Sequence, residues 1–285
     1  MKKKNIAVGI IFFTIGYVIG IFTGHYRIFP FDLIFTLKKE IGIGENKKRY
    51  LNVSNMERME VAITKKTGIY LTYGQSNSAN HGQIGYKVKN DVYQFYDYTV
   101  YGYQDPSLGA SGDAGSVWGM VGDKLILQGI HDKVIFSNNG WQGKSIKELN
   151  TSPYFSYLLN SYNQLINKYG RVDAILFHQG EINHKSKYGN ENYYKEFHLF
   201  LKKLQKEGIE IPIYLSRTSI CNTGSDRFLT GIQSKIINDF EMVYEGPDTD
   251  KLFDSKYRLP DNCHFSMLGF EKFSDMWVKS IMRKQ

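Results

Sequence analysis

With 285 residues, 42% of them hydrophobic and 22% charged, the chain is long enough to bury a core and too apolar for disorder to be its overall state. Its formal charge of +8 points to nucleic acid only if it is spread over the fold, yet residues 1–50 hold nine Lys/Arg against three Asp/Glu, and the other 235 residues carry a surplus of only +2. The basic balance is thus an N-terminal property and no nucleic-acid partner is expected, while two cysteines, Cys221 and Cys263, are too few for a disulfide framework or a four-cysteine zinc site.

In chain order, residues 1–5 carry Lys2, Lys3 and Lys4, and Ile6 to Gly24 follows as 19 residues without a charge. As a helix this stretch matches the thickness of a bilayer's hydrocarbon core. It is longer than the apolar region of a cleavable signal peptide and is not followed by a small-residue cleavage site, so residues 6–24 are expected to be an uncleaved transmembrane anchor. The lysines favour a cytoplasmic N-terminus and a domain outside the cytoplasm (periplasmic, extracellular or lumenal), although Arg27, Lys38 and Lys39 oppose that bias. Residues 25–65 are expected to be a juxtamembrane connector and residues 66–285 the globular domain.

From residue 66 onward, short apolar runs alternate with stretches of helical period. Strands are predicted over residues 68–73, 133–137, 172–177 and 211–215. Helices are predicted where apolar residues recur every three or four positions: Phe155 to Tyr169, Tyr193 to Leu204, Ile232 to Phe240, and a last helix after Ser266, a candidate N-cap. Such alternation implies an α/β fold, a parallel sheet covered by helices on both faces, with sites at the carboxyl ends of the strands. Residues 86–118 are rich in Tyr, Gly and Asp and read as a long loop shaping a cleft; Gly109, Gly112 and Gly115 match no phosphate-binding fingerprint.

Four segments fall at strand ends or before the last helix. Tyr73-Gly74-Gln75-Ser76-Asn77 places a serine where a strand turns into a helix, the position of an exposed nucleophile and equally of an ordinary helix cap. Asp261-Asn262-Cys263-His264 has the spacing that lets a carboxylate reach the imidazole Nδ1–H and leaves Nε2 to take a proton from a hydroxyl; the same spacing also fits a surface ion pair. Asn139 to Ser145 and Phe177 to Glu181 each bring glycine N–H groups and side-chain amides of the kind that stabilise an oxyanion. Together they converge on acyl transfer.

With GQSN at 74–77, GKSI at 143–146, HQGE at 178–181 and DNCHFSMLGF at 261–270 in this order, the chain resembles the SGNH-hydrolase superfamily, and within it the sialate O-acetylesterase-like carbohydrate esterases. The resemblance covers residues 66–285. It implies a three-layer α/β/α sandwich of flavodoxin type, Ser76 as nucleophile, His264 as general base, Asp261 as its orienter, and an oxyanion hole from the Ser76 N–H, the Gly143 N–H and the Gln179 amide. It implies no cofactor and an acetylated carbohydrate as substrate. Gln75, Asn77, Glu181, Trp141 and Arg217 are further candidates for contact with substrate or with the catalytic groups. Glu181 either orients Gln179 or meets sugar hydroxyls; Arg217 either binds an acidic sugar or sits in a salt bridge. Tyr73, Tyr86, Trp118 and Trp141 are available to stack on sugar rings or to fill the core. Glycan O-acetyl transfer by the same triad and non-catalytic carbohydrate binding are the alternatives. A metal centre at His178, Glu181 and His184 is disfavoured because the spacing is not that of a metal motif. Cys221 and Cys263 are either paired, as a compartment outside the cytoplasm permits, or free.

Overall fold

In the computed structural model, which describes residues 49–184 and 192–283, strand β2 (Gly68–Gly74) is buried along its whole length and pairs in parallel with β5 (Val134–Gly140) on one side and β6 (Ala174–His178) on the other. Beyond β6 lie β7 (Ile213–Arg217) and β8 (Val243–Asp248), again parallel. Beyond β5 lies β3 (Val92–Tyr96), then β4 (Thr99–Gly102) and β1 (Arg58–Met59), the last two joined antiparallel. Among the described residues the sheet order is β1-β4-β3-β5-β2-β6-β7-β8.

Alternate residues of each central strand supply two cores, as the two-residue period of a strand requires. Ile69, Leu71, Ile135, Ile175 and Leu215 face helices α3 (Tyr154–Tyr169), α4 (Tyr193–Lys206) and α5 (Arg227–Asp239), through Leu158, Leu165, Phe197, Phe200 and Ile236. Tyr70, Val134, Phe136, Leu176 and Tyr214 face α1 (Trp118–Leu127) and α6 (Met267–Met282), through Val121, Leu125, Phe273 and Trp277. A short α2 (Ile146–Leu149) is closed by a capping box between Ser145 and Glu148. The three-layer α/β/α expectation is met, and Ser266 caps α6 by accepting the Gly269 N–H.

Two expectations are corrected. Residues 86–118 are not one loop: Val92–Tyr96 and Thr99–Gly102 form a hairpin that widens the sheet, and the irregular stretches are residues 86–91 before it and 103–117 after it. The second part of the connector is not a linker either, because the compact unit begins at Arg49. There Met56 packs with Tyr101 and Leu108, and β1 pairs with β4. The expected anchor at residues 6–24 lies outside the described residues; among those described, no helix is long and apolar enough to cross a membrane.

Candidate active site

The ends of three strands lie level, because Gly74 is in register with both Gly140 and His178. The segments that follow them, Gln75 to Ser78, Trp141 to Ser145 and Gln179 to His184, therefore emerge side by side at the carboxyl edge of the sheet. Gly74 is what allows the turn: its φ is +146°, and a Cβ there would collide with the His178 carbonyl. The Gln75 N–H donates to that carbonyl at 3.0 Å, and the Trp141 N–H donates to the Gly74 carbonyl at 2.9 Å. Ser76 then opens a single 3-10 turn, Ser76–Ser78. Neither its N–H nor its hydroxyl has a partner among the described residues.

His264 stands on the loop before α6. Its Nδ1 is 2.5 Å from Asp261 Oδ2, and Asp261 Oδ1 accepts the N–H groups of Cys263 and His264, each at 3.0 Å. A carboxylate only accepts, so Nδ1 carries the hydrogen and Nε2 is left as a base. That Nε2 is buried and has no hydrogen-bond partner among the described residues. Partial burial works to raise the Asp261 carboxyl pKa, but the two N–H groups and the imidazole outweigh it and hold it below the usual range. The two loops are tied together next to Ser76 and His264, since Asn77 Nδ2 donates to the Cys263 carbonyl at 3.2 Å.

Behind Asn77 lies Glu181, fully buried, its Oε1 accepting from Asn77 Nδ2 at 2.8 Å and from His178 Nε2 at 2.9 Å. Burial works to raise its pKa, and the charge and hydrogen bond of His178 with the bond from Asn77 reverse this, to about 2. Glu181 thus anchors Asn77, the residue after Ser76, rather than Gln179.

Of the groups expected to form an oxyanion hole, two have N–H groups without a partner among the described residues and one is engaged. Gly143, at φ +63°, leaves its N–H without a partner among the described residues, as Ser76 does. Gln179 differs: its Nε2 lies 2.6 Å from Asn183 Oδ1, 3.2 Å from the Lys144 carbonyl and 3.3 Å from Gln75 Oε1, so its amide hydrogens are engaged internally. Gln75 Oε1 also accepts the N–H groups of Gly180 and Ile182, which fixes the β2 turn to the β6 turn rather than presenting Gln75 to a substrate.

The remaining candidates are not brought to the site. Arg217 pairs with Glu245, and with Asp248 at 3.9 Å, beside a groove of about 530 Å³ that no triad residue lines. Tyr73, Trp118 and Trp141 are buried in the core, Trp141 edge-on to Tyr154 and Tyr157; Tyr86 donates to Asp123. His178, Glu181 and His184 do not converge, His184 Nδ1 facing the Ser219 carbonyl, and the described residues contain no cluster fit to hold a metal ion.

Sequence reasoning missed two features and left a third open. Arg258 is buried and donates to the carbonyls of Leu252, Thr249 and Cys263 at 2.9, 3.0 and 2.6 Å, clamping the loop that carries His264. Cys221 and Cys263 are joined, which fastens that loop to the one after β7. His81 stacks on His264. An arginine or histidine alone in a loop gives no sequence signal, and the disulfide had been an open alternative.

Neither a protein-family model nor a curated protein sequence matches the chain. Solved structures do. A protein from Arabidopsis thaliana, 12% identical, aligns over 76% of this chain and 98% of its own with a TM-score of 0.61. The psychrotrophic esterase EstA from Pseudoalteromonas sp., solved as inhibited by monoethylphosphonate, is 13% identical over 77% of this chain and 98% of its own, with a TM-score of 0.51. A candidate GDSL-like lipase from Parabacteroides merdae is 14% identical over 76% and 96%, with a TM-score of 0.50. At these identities the likeness is one of fold.

Proposed function

We propose, from the premise that the chain has the SGNH-hydrolase fold, that it is a serine esterase removing O-acetyl groups from a carbohydrate. The observation that carries the reading is the Asp261–His264 pair with a buried, unpartnered Nε2, tied through Asn77 to the turn that bears Ser76. The carbohydrate rests on the GQSN, HQGE and DNCH resemblance, and the esterase EstA with this fold supports the reaction class.

In this reading, Ser76 Oγ attacks the acetyl carbonyl carbon while His264 Nε2 takes the hydroxyl proton, and Asp261 balances the imidazolium. The carbonyl oxygen becomes an oxyanion facing the free N–H groups of Ser76 and Gly143; Gln179 joins only by giving up one of its internal bonds. Collapse breaks the bond to the sugar oxygen, which leaves with the proton from His264. Water, deprotonated by the same Nε2, then attacks the acetyl-serine, and acetate departs as the proton returns to Ser76 Oγ. Asp261 is exposed and His264 partly so, which favours water over a sugar as acceptor and hydrolysis over acetyl transfer.

The anchor at residues 6–24 and a domain outside the cytoplasm belong to the same proposal. The Cys221–Cys263 bond supports it, because such bonds persist in oxidising compartments. The test is acetate release from an acetylated sugar by the purified protein and by Ser76→Ala. A loss of roughly 10³-fold or more is expected; a variant within tenfold of the parent overturns the mechanism.

A further inference from the structure

Residues 80–83 form a strap between the two halves of the site. The Asn80 N–H donates to the Ser111 carbonyl at 3.0 Å and the Gly82 N–H to the Gly115 carbonyl at 2.9 Å, on the glycine-rich side. On the other side, the Gln83 N–H donates to the Phe265 carbonyl at 2.9 Å, and Gln83 Oε1 accepts the Met267 N–H at 2.7 Å, at the start of α6. His81 sits on this strap with its ring face to face with His264, centroids 5.5 Å apart and planes 28° from parallel. Its Nε2 is 3.3 Å from Ser111 Oγ, which accepts the Gln142 N–H at 2.7 Å, next to Gly143. Gly112 makes room for the ring, since a Cβ there would lie 2.7 Å from His81 Nε2.

We propose that His81 is a positioning residue for the general base: its ring holds the His264 imidazole in plane and stabilises the positive charge that develops there when Nε2 takes the Ser76 proton. The inference rests on the esterase reading and deepens it. Before the transfer His264 is neutral and the two rings make an ordinary aromatic contact. Once the proton has moved from Ser76 Oγ to Nε2, Asp261 meets the charge at the Nδ1 edge, and the ring's face meets the electron-rich face of His81. A contact that strengthens only as the charge appears lowers the barrier without tightening substrate binding. No proton passes to or from His81 in this step. The chemistry asked of position 81 is a flat π face, which phenylalanine keeps, alanine removes and lysine replaces with a repelling charge.

The experiment measures kcat and KM for an acetyl ester in the full chain and in His81→Phe, His81→Ala and His81→Lys, with thermal melts of each. Expected are a kcat loss of roughly five- to tenfold in His81→Ala with KM within about twofold, a kcat for His81→Phe within about twofold of the parent, and a His81→Lys slower than His81→Ala. If His81→Ala does not fold, the Phe and Lys variants carry the comparison between them. Parental kcat in His81→Ala, equal losses in Ala and Phe, or losses confined to KM each overturn the role assigned to the stack. Ser76→Ala, run alongside, separates the two failures: if it matches the parent, the esterase reading falls, whereas a dead Ser76→Ala with an unaffected His81→Ala removes only the inference.

Discussion

The Ser76 turn and the His264 loop, which the proposed reaction brings together, are built by opposite means. The turn grows out of a central strand buried along its whole length, and its position follows from backbone register with β5 and β6 and from one glycine. The loop has an exposed Asp261 and Asn262, the latter at φ +50°, and no strand directs it. It is fastened from outside by the Arg258 clamp, the bond to Cys221 and the Asn77 contact. Ser76 is therefore fixed by the fold itself, and His264 by a few side-chain tethers. Damage to the first ought to appear as lost stability, damage to the second as lost activity in a protein that still folds.

The largest effect is expected at Gly74. A Gly74→Ala change places a methyl group against the His178 carbonyl at a backbone angle that side chains avoid, so β2 and β6 must separate at the middle of the sheet. A loss of about 3 kcal/mol or more is expected in urea unfolding. A variant as stable as the parent would mean that register alone does not set the turn.

On the other side of the comparison, Arg258→Met keeps the apolar stem over Phe265 and removes the donors to three buried carbonyls. Burial lowers the Arg258 pKa, and the nearby charges of Glu181, Asp250 and Asp261 oppose this, leaving it at about 10, so the cation persists at neutral pH. Its loss is expected to cost about 1–3 kcal/mol and to lower kcat by a larger factor than Ser76-side variants of equal stability. Equal kcat at matched stability would erase the distinction between the two regions.

The same contrast governs what the sequence could tell. Strands β2, β5, β6 and β7 are apolar runs ended by motif residues, and the helices between them keep a clear period, so the layers and the Ser76 side were legible. The β3–β4 hairpin was not, because its turn residues Asp97 and Tyr98, at φ +46° and +59°, are not the Asn-Gly type that marks such turns. Strand β8, which contains Gly246 and Pro247 at the sheet edge, reads as a loop for a similar reason. Asp261 and His264 were legible as a spaced pair. His81 was not, since it meets His264 across a long stretch of sequence, nor was Arg258, a lone arginine without a pattern, while the Cys221–Cys263 bond was one of two open readings.

Two carboxyl groups, one on each side, give the comparison opposite dependences on pH. Asp105, which accepts from Ser116 Oγ at 3.1 Å, lies two residues before Ser107, whose N–H donates to Asn80 just past the Ser76 turn. Burial pushes its pKa up to about 7, against the bonds from Ser116 and Tyr103. In the unfolded chain it ionises near 4. Between pH 4 and 7 the folded state therefore keeps a proton that the unfolded state has lost, and stability falls as pH rises, the full cost remaining above 7. Asp261 has the other sign: its folded pKa is lowered, so its contribution is present above the unfolded value and is lost as pH falls through the folded one. Asp105→Asn removes the first dependence alone. Thermal melts are expected to agree with the parent at pH 4 and to favour the variant by about 1–3 kcal/mol at pH 8. A parent that gains on the variant as pH rises would mean an ionised, stabilising Asp105, and would make the Ser76 side depend on charge as the His264 side does.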